Sequence, residues 1–268
     1  MTKMTKNAEL PTKAIILAAG LGKRLYPITH AIPKPMLPLG RKPIIHHVID
    51  ELQSAGLKKI GIVLGQNDVV TPRYLSYMFP SIATFVQTKP IGTVDAILSA
   101  KDWICEEDKI IVAMGDAILE RREMSNPLVR LYREFNQQKC DSAVLIREMN
   151  PPFGKEYIGI ESCPKEPSFL INPIKDQNRQ KMVINTASRW ILSATALKRL
   201  EIVAPESDGE HRLRGLVYLM PRVLGVPLNK DEHCHDFGTW EHFLLGSAKA
   251  SLNDQEFGDK INKMLLAT

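Results

Sequence analysis

Two glycines, Gly20 and Gly22, stand at the end of an apolar run and are followed at once by two cations in Leu17-Ala18-Ala19-Gly20-Leu21-Gly22-Lys23-Arg24. Glycines in that place let the backbone turn sharply and bring its N–H groups against a phosphate. The loop fits neither usual phosphate motif. Leu25 takes the place of the third glycine of GxGxxG, and Gly22-Lys23 is not followed by Ser or Thr. It also runs into a proline-rich passage (Pro27, Pro33, Pro35, Pro38, Pro43), so no long helix offers its N-terminal dipole. Side chains must neutralise any bound phosphate, and Lys23, Arg24 and Lys34 supply that charge. The plainer reading is a tight turn with basic neighbours.

Other residues offer different chemistry. Gln87 precedes Pro90 and Gly92, and Gly115-Asp116 closes an apolar run. A Gly-Asp after a strand is, by itself, more often a turn than a ligand. His233-Cys234-His235-Asp236 would place two imidazoles on one face of a strand. The spacing matches no usual zinc cassette and has no partner cysteine pair, so zinc is the weaker reading.

The elements that carry these residues follow a clear order. Apolar runs at Lys13–Ala19, Lys59–Leu64, Ile82–Gln87, Lys109–Met114 and Ser142–Arg147 read as strands. Helical spacing covers Ile44–Ala55, Thr71–Met78, Thr93–Ile104 with Thr93 as its cap, and Asn126–Lys139. This alternation predicts an α/β fold, a doubly wound, mixed but mainly parallel sheet. Past residue 150 the short strands Tyr157–Glu161, Phe169–Asn172 and Met182–Leu192 lack crossover helices, which predicts a small inserted lobe over residues 150–195. Helical patterns resume at Ala194–Leu200, Leu213–Leu224 and Thr239–Ala250 and near the C-terminus. We expect one domain over residues 13–268 behind a polar leader, residues 1–12.

The 268 residues are 44% hydrophobic and 24% charged, enough to bury a core without disulfides or metal. No apolar run approaches the ~18 residues needed to span a bilayer, and the first residues lack a signal peptide's apolar stretch. Cys105, Cys140, Cys163 and Cys234 form no framework and suit a reducing compartment. A cytoplasmic protein is expected. The net charge of +5 is spread along the chain without dense basic runs or interleaved aromatics, which argues against nucleic acid as a partner.

The passage Thr29-His30-Ala31-Ile32-Pro33-Lys34-Pro35-Met36-Leu37-Pro38, joined to the glycine loop, resembles the sugar-1-phosphate nucleotidyltransferases. That family opens with L-A-[AG]-G-x-G-T-R and continues to K-P-x-L-P. The form here looks most like bacterial UTP–glucose-1-phosphate uridylyltransferases, with glucose-1-phosphate thymidylyltransferases next. Gln87-Thr88-Lys89-Pro90-Ile91-Gly92-Thr93 is similar to the family's base-recognition loop. Gly115-Asp116 and Asp236-Phe237-Gly238 are similar to its two metal-binding segments.

The resemblance implies a Rossmann-like nucleotidyltransferase fold, commonly in a homo-oligomer, that joins a nucleoside triphosphate to a sugar 1-phosphate. Arg24, Lys34 and Asp116 take the catalytic roles, and Leu17, Ala18, Ala19, Gly20, Gly22, Lys23, Gln87 and Gly92 bind nucleotide. Asp116 and Asp236 hold Mg²⁺, whose remaining ligands come from phosphates and water. Gln87 fixes no single base, since an amide can pair with uracil or thymine and can also contact a purine edge; UTP or dTTP is favoured from the resemblance alone.

The acceptor side departs from the pattern. Where the family has E-K-P, Ile171-Asn172-Pro173 stands, leaving Asn172 and, three residues on, Lys175. Gly159 survives from Y-G-V, and the T-D of G-E-x-x-L-T-D becomes Arg214-Gly215. Gly159, Asn172 and Lys175 are the acceptor-side candidates. Two outcomes follow: an active enzyme, with an altered acceptor among the options, or a nucleotide-sensing protein of low turnover.

Overall fold

The structure is a computed structural model describing residues 13–104, 109–120, 126–148, 157–160, 168–174 and 182–267. The leader 1–12, Cys105, Cys163 and Lys175 lie outside the described residues.

The first half contains β1 (Lys13–Ala18), β2 (Pro38–Leu39), β3 (Lys42–Pro43), α1 (Ile44–Ser54), β4 (Lys59–Gly65), α2 (Val70–Met78), β5 (Ala83–Gln87), α3 (Thr93–Leu98), β6 (Ile110–Met114) and β7 (Ala117–Glu120). It continues through α4 (Pro127–Gln138), β8 (Ser142–Glu148), β9 (Ile158–Ile160), β10 (Phe169–Leu170), β11 (Met182–Leu192) and α5 (Ala194–Arg199). The remainder is α6 (Leu216–Leu219), β12 (Val223–Pro227), β13 (His233–Asp236), α7 (Trp240–Leu252) and α8 (Gly258–Leu266).

The central sheet runs β10-β12-β8-β11-β6-β1-β4-β5, with β9 paired to β11. β1 lies parallel to both β4 and β6, β4 to β5 and β8 to β12, while β11 runs antiparallel between β6 and β8. The expected mixed, mainly parallel sheet is therefore present. Its middle strands are apolar on both faces because cores lie above and below it, as a sheet flanked by helices requires. Ile15, Val112 and Trp190 enter one core with α3, and Ile16, Ile62 and Ile191 enter the other with α1 and α4.

The described strands within residues 150–195 are hydrogen-bonded into the central sheet. Several expectations need correction. The pattern over Leu213–Leu224 gives only a short turn and α6, after which the chain becomes strand β12. Val223, Leu224 and Val226 form an apolar run buried on both sides, and so short a run carries no period that separates helix from strand. α3 ends at Leu98 instead of Ile104. Its N-cap is Gly92, and the Thr93 hydroxyl accepts the Leu213 N–H at 2.8 Å instead of capping the helix.

A third, smaller core matters most for function. Leu25, Leu37, Leu39, Ile44, Phe237 and Phe243 pack together, joining the proline-rich loop to α7 and the segment after β13. Among the described residues, no helix is long and apolar enough to cross a membrane.

Candidate active site

In an open parallel sheet, loops at the carboxyl ends of the strands form the natural ligand crevice. Here the loops after β1, β5 and β6 surround a cleft of about 370 Å³. Its lining includes Leu17, Ala18, Ala19, Gly20, Gly22, Lys23, Arg24, Lys34, Gln87, Gly92 and Asp116. Residues spread over a hundred positions thus share one cavity.

The glycine loop folds back on the proline-rich segment. Gly22 adopts a left-handed backbone (φ 63°), and the Thr29 hydroxyl donates to its carbonyl at 3.0 Å. Leu25 and Leu37 then anchor the loop beside Phe237, which delivers Arg24 and Lys34 to the segment that carries Asp236. A methyl group on Gly238 would lie 2.8 Å from Arg24 Nη2, 2.8 Å from Asp236 Oδ1 and 3.3 Å from Lys34 Nζ. Only a residue without a side chain leaves these charges room to meet.

The two carboxylates are joined through the backbone. β13 pairs with β7 so that Asp236 faces Ala117, and the Phe237 N–H donates to the Asp116 carbonyl at 2.9 Å. Lys34 Nζ forms an ion pair with Asp116 Oδ2. Burial opposes the charge on Asp116, but the neighbouring Lys34 ammonium outweighs it and holds the carboxyl below its ordinary range. Asp236 moves upward, first through burial and then through the charge of Asp116; the Gly238 N–H at 2.7 Å offsets only part of this. Two crowded hard-oxygen donors, one with its charge disfavoured, fit a divalent cation. Among the described residues no group of three or more His, Cys, Asp or Glu could hold a metal alone, so such an ion would complete its shell with phosphates and water.

At the other end, Gln87 is almost fully buried. Its amide nitrogen donates to the Gly92 carbonyl at 3.0 Å and to Asp95 Oδ2 at 2.9 Å. Both partners are acceptors, so the NH₂ group is fixed toward them. Gly92 makes this turn with φ 121°, and a Cβ there would lie 2.4 Å from the His211 carbonyl oxygen.

The acceptor-side residues lie apart. Gly159 is buried in β9, where its carbonyl accepts the Ile174 N–H at 2.8 Å, and Asn172 is exposed after β10. Neither lines the cleft. His233 and His235 do alternate on β13, with ring centroids 6.2 Å apart, but His235 Nε2 pairs with Glu120 at 2.6 Å. Sequence reasoning quoted Gly238 only as part of the Asp236 motif and gave it no role, because its contacts with Arg24 and Lys34 come from distant parts of the chain, and it missed Glu210, which lines the cleft from the Gly209-Glu210 segment.

A glycine loop with its cations thus faces two carboxylates at the strand ends of an α/β fold, an arrangement suited to a phosphate-bearing ligand. A family model described as Nucleotidyl transferase matches residues 13–160, and the chain belongs to that family. The chain is 41% identical to the bifunctional protein GlmU of Methanococcus maripaludis strain C5, over 81% of this chain and 49% of that protein. It is 26% identical to a glucose-1-phosphate thymidylyltransferase of Streptomyces griseus, over 68% and 58% respectively. The chain spans about half the length of the GlmU relatives it matches. Among solved structures, a UDP-glucose pyrophosphorylase from Acinetobacter baumannii superposes with TM-score 0.81 at 19% identity, covering 96% of this chain and 99% of that one. A UDP-glucose pyrophosphorylase complexed with UDP-glucose gives 0.78 at 22% identity, covering 90% and 98%.

Proposed function

We propose that the protein transfers a nucleotidyl group from UTP or dTTP to a sugar 1-phosphate in a Mg²⁺-dependent reaction, forming an NDP-sugar and pyrophosphate. The observation that carries this reading is the meeting of Arg24, Lys34 and Asp236 around Gly238, beside Asp116, at one end of a cleft whose other end is Gln87.

An oxygen of the sugar phosphate attacks the α-phosphorus, and the bond from that phosphorus to the bridging oxygen of pyrophosphate breaks. The attacking oxygen is already anionic, so no general base is required, and catalysis reduces to alignment and charge neutralisation. Arg24, with Lys23, holds the departing β- and γ-phosphates. Lys34 turns from Asp116 toward the α-phosphate. Asp116 and Asp236 would hold the Mg²⁺ ion, whose contribution is to neutralise triphosphate charge. The fixed Gln87 amide presents Oε1, an acceptor that matches the N3–H of uracil or thymine; cytosine has no hydrogen at that ring nitrogen. Gly159, Asn172 and Lys175 remain the proposed acceptor-side residues.

The test is pyrophosphate release from each NTP with Mg²⁺ and a panel of sugar 1-phosphates. Release with UTP or dTTP and at least one acceptor supports the proposal. NTP binding without release for any acceptor would instead identify a nucleotide-sensing protein, the reading that the altered acceptor segment around Asn172 favours.

A further inference from the structure

A buried ion pair lies beneath the Asp116 turn and takes no part in the chemistry described above. Arg189 is fully buried, and the Glu51 side chain is 11% exposed. The contact is a fork: Arg189 Nε donates to Glu51 Oε1 at 2.8 Å and Nη2 to Oε2 at 2.7 Å. Replacing such a pair with well-packed apolar side chains is often neutral or stabilising, so stability is a weak reason for its presence.

Its remaining hydrogen bonds point elsewhere. Arg189 Nη2 donates to the Ala117 carbonyl at 2.9 Å, and Glu51 Oε2 accepts the Leu119 N–H at 3.1 Å. Arg189 Nη1 donates to the Ser188 carbonyl at 2.9 Å and lies 3.5 Å from that of Met114. The pair therefore grips the chain on both sides of Gly115-Asp116. β7 has a strand partner, β13, along one edge. Along the other, Arg189 and Glu51 satisfy backbone groups that a second strand would otherwise pair.

The local fold is shaped to deliver Arg189. Where β11 crosses β8, Thr186 pairs with Ile146 and Trp190 with Val144, so Ala187, Ser188 and Arg189 together oppose Leu145. This bulge puts Ser188 in the left-handed region, at φ 59°, a conformation that non-glycine residues rarely adopt. Arg189 lies between Ala187 and Ile191, both in the core beneath α1, and Glu51 on α1 meets it there.

We propose that Arg189 and Glu51 are positioning residues for the two metal-binding carboxylates. They fix β7, and β7 fixes both acids: Asp116 through the adjoining peptide and Asp236 through the β7–β13 register. This inference rests on the metal role proposed above for Asp116 and Asp236.

The test measures UTP affinity by calorimetry, once with Mn²⁺ and once in EDTA. The gain on adding metal is the readout, with Asp116→Asn as the reference for a disabled site. Variants are Arg189→Lys, which keeps the charge but loses the fork, and the apolar double substitution Glu51→Leu with Arg189→Met. The double variant is expected to melt near the wild-type temperature yet lose roughly 10- to 100-fold of the metal-dependent gain, the usual scale for a lost supporting contact. Metal-free UTP affinity is expected to stay unchanged, because neither residue lines the cleft. Wild-type metal gain in folded double or Arg189→Lys protein overturns the proposal. Should the double variant fail to fold, Arg189→Lys alone decides. A wild-type protein with no greater gain than Asp116→Asn overturns the metal role itself, and this inference with it.

Discussion

The Asp116 carbonyl accepts the Phe237 N–H at 2.9 Å, so the backbone next to one acidic side chain is hydrogen-bonded to the backbone next to the other. Separation of the acids is therefore a property of strand register, set by Ala117 opposite Asp236. Neither side chain depends on its own rotamer alone to find its partner.

Asp116→Asn keeps that backbone bond and removes the charge. The expected result is a loss of Mg²⁺-dependent pyrophosphate release of roughly 100- to 1,000-fold or more, the scale of removing a group that stabilises transition-state charge. Circular dichroism and melting temperature should stay close to wild type. A near-wild-type rate would remove Asp116 from the metal site.

Gly238→Ala tests the crowded end of the cleft. The added methyl would stand 2.8 Å from both Arg24 Nη2 and Asp236 Oδ1, so those groups must separate. Displacement of about 1 Å is expected to lower kcat roughly 100-fold. Thermal stability should change much less, because the methyl meets the ends of side chains rather than backbone.

Gly92→Ala behaves in the opposite way. Here the new Cβ meets backbone, 2.4 Å from the His211 carbonyl oxygen, at a φ of 121°. Backbone strain of about 1–3 kcal/mol is expected before the collision is counted. Urea unfolding should show the loss of stability, and UTP binding should weaken because Gln87 is held by the Gly92 carbonyl.

Gln87→Leu removes the proposed base contact. KM for UTP is expected to rise roughly tenfold or more, corresponding to one lost hydrogen bond at a buried site. The preference for UTP over CTP should shrink with it. An unchanged base preference would take Gln87 out of base recognition.

Cys140 offers a test of the core that is independent of the active site. Burial pushes its thiol up to about 11. The folded state therefore keeps its proton at pH values where the unfolded thiol, near 9, has lost it. Its stabilising contribution is complete below the unfolded value and is lost as pH rises through about 11. Native Cys140 is expected to resist iodoacetamide at pH 8, with mass spectrometry of its peptide as the measurement.

Much of this site could be read along the chain. The Leu17–Arg24 loop, Lys34, Gln87 and the two aspartates lie in local patterns, and the apolar runs of β1, β4 and β6 are long enough to identify as strands. What escaped depends on contacts between distant residues. Glu51 and Arg189 are 138 positions apart, and each looks like an ordinary charged residue in its own element. β7 and β13 are four residues each and mix polar with apolar side chains, so their pairing leaves no periodic trace. Thr93 resembled a helix cap because its position is right, while its hydroxyl was taken by Leu213, 120 residues on.

The small core of Leu25, Leu37, Phe237 and Phe243 has a mechanical consequence. It makes the cation-bearing loop and the Asp236 segment a single jaw, so that one core holds Arg24, Lys34 and Asp236 to one another. The facing jaw has its own brace: His211 donates its N–H to the Ile91 carbonyl at 2.8 Å and accepts the Val94 N–H at 3.0 Å, on either side of Gly92. The Gln87 end and the Gly238 end of the cleft are thus braced by separate contacts.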